Sequence, residues 1–190
     1  MKKLFYLVVA SLVAAFLFTG CAGKKGPEPL DNACLKGAPG WVIDPSMEGG
    51  LTGLGSAKIG AAGLQFARTE AIANARDEMA RSLSVKVKNM FKNFTQVTGV
   101  GDAQTVDKVA ANVSKQVANE TLEGSKAKQV WISPCNEYYV LVVLDPGMAK
   151  KSVQQNVQTS LKNEQALWQQ FLAKKAQDEL NAEIEKEFGK

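Results

Sequence analysis

Between Leu64 and Val97 apolar residues recur every third or fourth position: Leu64, Ala67, Ala71, Ala75, Met79, Leu83, Met90 and Phe94. That spacing predicts one long amphipathic α-helix laid on a core, with Arg68, Glu70, Arg76, Asp77, Lys86, Lys88 and Lys92 mostly in water. The first half of the stripe is alanine, which lets another layer approach closely, so that half should lie flat on a sheet. Apolar strand candidates stand on both sides of it. Upstream, Gly49 to Ala57 reads as a strand whose small residues admit the alanine-rich helix. Its glycines fit neither Gly-x-Gly-x-x-Gly nor the eight-residue phosphate loop, and no acidic residue sits at the expected place downstream, which argues against a nucleotide site. Downstream, Gln129–Ser133 and Glu137–Leu144 flank Pro134-Cys135-Asn136 and predict a hairpin.

The last of these strands is apolar on both faces. Tyr138, Val140, Val142 and Leu144 point one way, and Tyr139, Leu141 and Val143 the other. A strand with one wet face alternates, so this one should be central and covered twice. The long helix covers one face; the remaining helices or a second copy of the chain are the candidates for the other.

The connecting segments are helical too. Thr98-Gly99-Val100-Gly101 stops the long helix and Asp102 can cap the next. Val106, Val109, Ala110, Val113, Val117 and Leu122 give that second helix a weaker stripe, expected to fold back against the surface. Asp145-Pro146 opens a further helix. From Val153 to Phe188 there is no proline and no internal glycine, while Val153, Val157, Leu161, Trp168, Phe171, Leu172, Leu180, Ile184 and Phe188 keep helical spacing. One helix of that length would span about 50 Å and outreach a small domain. Either it protrudes or packs on another protomer, or it lies on its own domain over its first half and frays beyond.

The 190 residues allow one domain plus tails, and the formal charge of +4 is mild. Lys2 and Lys3 precede an apolar run from Leu4 to Phe18, shorter than the ~20 residues of a membrane-spanning helix, so residues 1–20 read as a secretory signal. Its end, Phe18-Thr19-Gly20-Cys21, resembles a bacterial lipobox, although leucine is more usual where Phe18 stands. The resemblance implies that Cys21 is lipidated and becomes the new N-terminus, and Ala22 after it implies transport to the outer membrane. The alternative is an ordinary signal peptide with a cysteine near its cleavage site. Acyl chains would anchor the protein at about 0.8 kcal/mol per buried methylene. Residues 21–40 are polar at first and rich in glycine and proline, and read as a tether. Trp41 reads as an anchor sealing the domain edge, with a partner-binding residue as the alternative.

Export puts Cys34 and Cys135 in an oxidising space, where a thiol pair tends to become a disulfide. Closing so long a loop is worth roughly 4–5 kcal/mol in the chain-entropy model. Free thiols are the next reading. A redox or metal site ranks behind, because there is no Cys-x-x-Cys and no histidine.

With these residues placed, the chain resembles the LPP20 family of bacterial outer-membrane lipoproteins over roughly Trp41 to Pro146. The resemblance rests on the lipobox, Gly53-Leu54-Gly55-Ser56-Ala57, the Ala67-Arg68-Thr69-Glu70-Ala71 to Ala75-Arg76-Asp77-Glu78 helix, and the valines and leucine before Asp145-Pro146. It implies an α+β fold, with a small antiparallel sheet of about three strands packed on the long helix. The long C-terminal helix is added to it. The domain plan is thus a signal peptide (1–20), a tether (21–40), an LPP20-like domain (41–146) and a C-terminal helical extension (147–190). The resemblance also implies non-enzymatic roles, as envelope lipoproteins or as flagella-associated members that build disks or rings beneath the outer membrane.

Three classes of function follow. The first is a structural lipoprotein, held to outer-membrane lipid through Cys21 with most of the chain in the periplasm, and self-associating through sheet edges or the last helix. The second is an envelope binding module, for peptidoglycan, a host receptor or a small ligand; peptidoglycan binding could use Lys24 and Lys25 or the face with Lys86, Lys88 and Lys92, although a charge run on a helix is usually a solvated face. The third is an enzyme, which the absence of histidine disfavours, along with most acid–base, triad and zinc schemes. Glu70, Asp77 and Glu78 could pair as carboxylates, but Arg68, Arg76 and Arg81 beside them make ion pairing the ordinary expectation. No catalytic residue, metal or cofactor is expected, and the low charge disfavours nucleic acid.

Overall fold

The computed structural model describes residues 32–46 and 51–189. Strand β1 (Leu51–Lys58) is followed by helix α2 (Gly63–Thr98), helix α3 (Ala103–Gly124), strand β2 (Lys126–Ile132) and strand β3 (Glu137–Leu144). A 3-10 turn (Ala33–Leu35) and a short helix α1 (Gly40–Ile43) precede them. Helices α4 (Pro146–Asn163), α5 (Gln165–Ala173) and α6 (Gln177–Phe188) complete the chain. The class is α+β, as the family resemblance implies. The sheet is antiparallel in the order β1-β3-β2, so the doubly apolar strand is central.

Packing of α2 on the sheet explains the glycines of β1. A Cβ on Gly53 would lie 2.0 Å from the carbonyl oxygen of Ala75, and one on Gly55 1.9 Å from that of Ala71. Helix backbone therefore rests on strand backbone, with Ala67, Ala71 and Ala75 fully buried between them. At 1.5 Å per residue α2 is about 54 Å long, roughly twice the length of the strands. Its second half turns larger residues, Leu83, Val87, Met90, Phe91 and Phe94, into a core shared with the other helices. The stripe fails at its first member: Leu64 is half exposed. Gly99 ends α2 at φ +61°, its N–H donating to Thr95 O at 2.8 Å.

The helix α3 folds back as its stripe predicts, with Val109, Val113 and Val117 buried and Ala111, Asn112, Lys115 and Gln116 exposed. One expectation about the helices is corrected. The segment 153–188 is helical but not continuous. It breaks at Glu164 and again at Lys174–Ala176, where Lys175 takes φ +49°. Without glycine or proline, the breaks come from tertiary burial. A straight helix would leave Leu167, Phe171, Leu180, Ile184 and Phe188 in water, whereas the two bends bury all five in the main core. Polar contacts hold the bends. Glu164 accepts from Lys108 Nζ at 2.6 Å, and Lys174 Nζ donates to the carbonyls of Thr98 and Gly99 at the end of α2. Neither protrusion nor fraying of this segment is observed.

The second face of β3 is covered by neither candidate. Trp41 and Val42 of α1 form a small core with Leu141, flanked by Leu35, Ala38, Leu54, Trp131, Tyr139 and Val143. Trp41 is thus a buried anchor, and beside it the rings of Trp131 and Tyr139 meet at a tilt of 43° with centroids 5.3 Å apart. Among the described residues one compact unit begins at Ala33, and both the last tether residues and the C-terminal helices belong to it.

Candidate functional site

The hairpin turn between β2 and β3 is built by Ser133 and Asn136. Ser133 Oγ accepts from the N–H groups of Cys135 (3.3 Å) and Glu137 (3.1 Å), and Asn136 adopts φ +59°, tolerable for asparagine. This turn presents Cys135 outward. Cys34, on the 3-10 turn, is disulfide-bonded to it across 101 residues, with the Cα atoms 5.0 Å apart. The bond sets α1 over the outer face of β3. At the same end, Ile59 N–H donates to Asn136 O at 2.7 Å, and the turn from Gly60 to Gly63 leads into α2. One pole of the molecule therefore gathers the disulfide, the start of α2 and the point where the N-terminal segment joins the fold. Glu137 accepts there from Ser56 Oγ (2.7 Å) and Tyr139 Oη (3.1 Å). Partial burial, and then the Glu137 carboxylate, raise the Tyr139 phenol above its ordinary pKa.

The two outer edges of the sheet are treated differently. On β1, Glu78 Oε2 accepts from Leu54 N–H at 2.7 Å and Asn74 Nδ2 donates to Ser56 O at 2.9 Å. These two α2 side chains, four residues apart on one helix face, take the backbone groups a further strand would need. In the sheet β2 is hydrogen-bonded to β3 alone, and its residues are exposed or half-buried throughout. A bulge between Ala127 and Gln129, with Lys126 and Lys128 beside it, blunts the first half of that strand. Its second half carries Val130 and Ile132, both about half exposed.

Two grooves of about 300 Å³ lie among the helices. The first, between α2 and α3, has an apolar floor from Phe91, Val106 and Ala110, with Lys88 and Lys92 at its rim. Thr95 Oγ1 is buried there without a hydrogen-bond partner. The second, between α4 and α6, is lined by Gln154, Gln155, Gln158, Gln177 and Asn181 over Leu180 and Ile184.

Of the residues singled out in the sequence, Cys21, Lys24 and Lys25 lie outside the described residues. Lys86 does not join a basic face. Its ammonium donates to Glu187 O at 2.7 Å and sits over the Phe188 ring, tying α6 to α2. The expected arginine–carboxylate pairing on α2 is not found among the described residues. Glu78 serves the β1 edge, and Arg76 Nε donates to Ser125 Oγ at 3.1 Å. No group of three or more histidine, cysteine, aspartate or glutamate residues in the described part could hold a metal ion. The edge role of Asn74 and Glu78 was missed in the sequence, although their i, i+4 spacing beside Ala71 and Ala75 placed them along the sheet margin.

A long helix on a three-stranded antiparallel sheet, clipped shut by one disulfide and offering one bare edge, defines a small α+β module. A family model described as LPP20 lipoprotein matches residues 39–145, more than half of the chain, and the chain belongs to that family. Membership marks it as a lipoprotein of the cell envelope, associated with a membrane. No helix among the described residues is long and apolar enough to cross one. Comparison with curated proteins returned no match.

Proposed function

We propose that this chain is a structural lipoprotein anchored in the outer membrane by acyl chains on Cys21, acting through assembly with copies of itself and without catalysis. The observation that supports assembly is the asymmetry of the sheet: the β1 edge is capped by Glu78 and Asn74, while the β2 edge is bare and flanked by Val130 and Ile132. An edge with unpaired backbone groups and exposed apolar side chains is a template for another strand, and a second β2 related by a twofold axis is self-complementary. A disk or ring beneath the outer membrane, including one around a flagellum, is the kind of assembly such a unit suits. The test is mass in solution, by analytical ultracentrifugation of the mature chain and of Val130→Lys/Ile132→Lys. Oligomers that the double variant loses support the reading, and a strict monomer at high concentration overturns it. Anchoring is tested separately, since Cys21→Ser should release the exported chain from membrane fractions. Flagellar genes beside this one would favour the disk or ring.

The glutamine-lined groove between α4 and α6 supports a second reading, a binding module for a neutral, hydrogen-bonding polymer such as peptidoglycan. A sacculus pull-down that leaves the chain in solution removes it.

A further inference from the structure

We propose that the pole bearing the disulfide faces the membrane, and that Leu64 and Phe66 on the first turn of α2 contact the lipid surface there. This rests on the reading of Cys21 as the anchor. Leu64 is 49% exposed and Phe66 58%, and neither belongs to either core. The two lie on different sides of the helix, so a groove on one face cannot take both. Helical Cα–Cβ bonds tilt toward the N-terminus, however, so both side chains lean past the end of the helix, toward the pole.

The chain's own connectivity says what covers that end. Cys34–Cys135 holds the N-terminal segment at this pole, where Ile59 meets Asn136 and the Gly60–Gly63 turn begins α2. Asn32 lies only eleven positions after Cys21. Eleven residues of chain reach at most about 40 Å however they are arranged. An acylated Cys21 therefore keeps this pole within that reach of the headgroups, whereas the far end of α2, about 54 Å along the helix, lies beyond it. At such effective concentration a weak contact is enough, and two aromatic or aliphatic side chains entering the interface supply one. Lys36, two residues after Cys34, and Lys58, two residues before Gly60, are both exposed and suit a surface that carries phosphate. The occupant is thus a phospholipid surface rather than a second protein.

Hydrogen exchange reads the contact directly. The first amides of α2 have no intrahelical acceptor, and Ala62 supplies no side-chain cap, so they exchange quickly when wet. The acylated full chain is reconstituted on vesicles of phosphatidylethanolamine with a minority of phosphatidylglycerol and compared with Cys21→Ser in solution. Exchange over residues 60–68 should slow several-fold on vesicles. Leu64→Ser/Phe66→Ser should stay on the vesicles through its acyl chains yet lose that protection, with exchange in β3 unchanged. The proposal is overturned by equal exchange at 60–68 with and without lipid, by equal protection in the double variant, or by protection already present in lipid-free Cys21→Ser, which would mean a second copy covers the pole. If Cys21 proves unacylated, the anchoring reading fails by itself. The same chain, coupled through its Cys21 thiol to maleimide-bearing vesicles, then gives the same outcomes for the pole.

Discussion

Replacing Gly55 by alanine adds one methyl group at the closest approach of strand and helix, and two opposed effects meet there. Alanine restricts the unfolded chain more than glycine does, which alone would stabilise the fold by about 0.4–1 kcal/mol. Against this, the new Cβ would sit 1.9 Å from Ala71 O, 2.5 Å from Ala75 N and 2.9 Å from Ala75 Cβ. Ordinary contact needs well over 3 Å, and the two nearest are backbone atoms of a 36-residue helix while the third is a Cβ fixed to that backbone, so nothing can swing aside. Relief requires the helix to lift by more than about 1 Å, and a gap of that size forfeits up to about half of each dispersion contact along Ala67, Ala71, Ala75 and Met79. Overpacking of this kind costs about 1–3 kcal/mol and more where backbone must move. The loss wins, and Gly55→Ala should destabilise by about 2–4 kcal/mol, lowering the melting temperature by roughly 5–15 °C for a domain of this size. Gly60→Ala is the control. Nothing lies within 4 Å of a Cβ built there, so it should leave stability unchanged or raise it slightly. Urea unfolding of both variants, with the slope checked against wild type, measures the difference. A Gly55→Ala midpoint at or above that of wild type would refute the claim that helix backbone rests on this strand.

Cys34→Ser, or reduction of the wild-type chain, should lower stability by roughly 4–5 kcal/mol, with tryptophan emission shifted to the red as Trp41 leaves Leu141; identical melting of oxidised and reduced protein would contradict this. Thr95→Val should be neutral or stabilising by up to about 1 kcal/mol, because the hydroxyl it removes is buried without a partner; a clear loss would show that a bound water or ligand satisfies it. Asp102 caps α3 by accepting from Thr105 N–H at 3.0 Å, a bond that holds its carboxyl below the usual 3.8. Its folded pKa is depressed, so its contribution is present above the unfolded value and is lost as pH falls through the folded one. The melting difference between wild type and Asp102→Asn, which keeps a capping oxygen without the charge, should therefore vary only at acidic pH, and a difference that varies between pH 6 and 8 would refute it.

Much of this protein is determined by local pattern. The 3.6-residue stripe set α2, the alanines and the glycines of β1 announced that helix and strand would touch, and seven apolar residues in a row made β3 central. Asp102 and Asp145-Pro146 marked helix starts because a cap acts within three residues of itself, and that range is visible in a sequence. What covers each face is not local. Periodicity reports that Tyr139, Leu141 and Val143 must be buried, but only the bond across 101 residues brings Trp41 onto them. The same holds for the last forty residues, where helical spacing continues without a breaker and two bends are made anyway. The free energy that bends the chain there comes from burying Phe171, Ile184 and Phe188 against a helix far away in sequence, and no window of neighbouring residues contains that term.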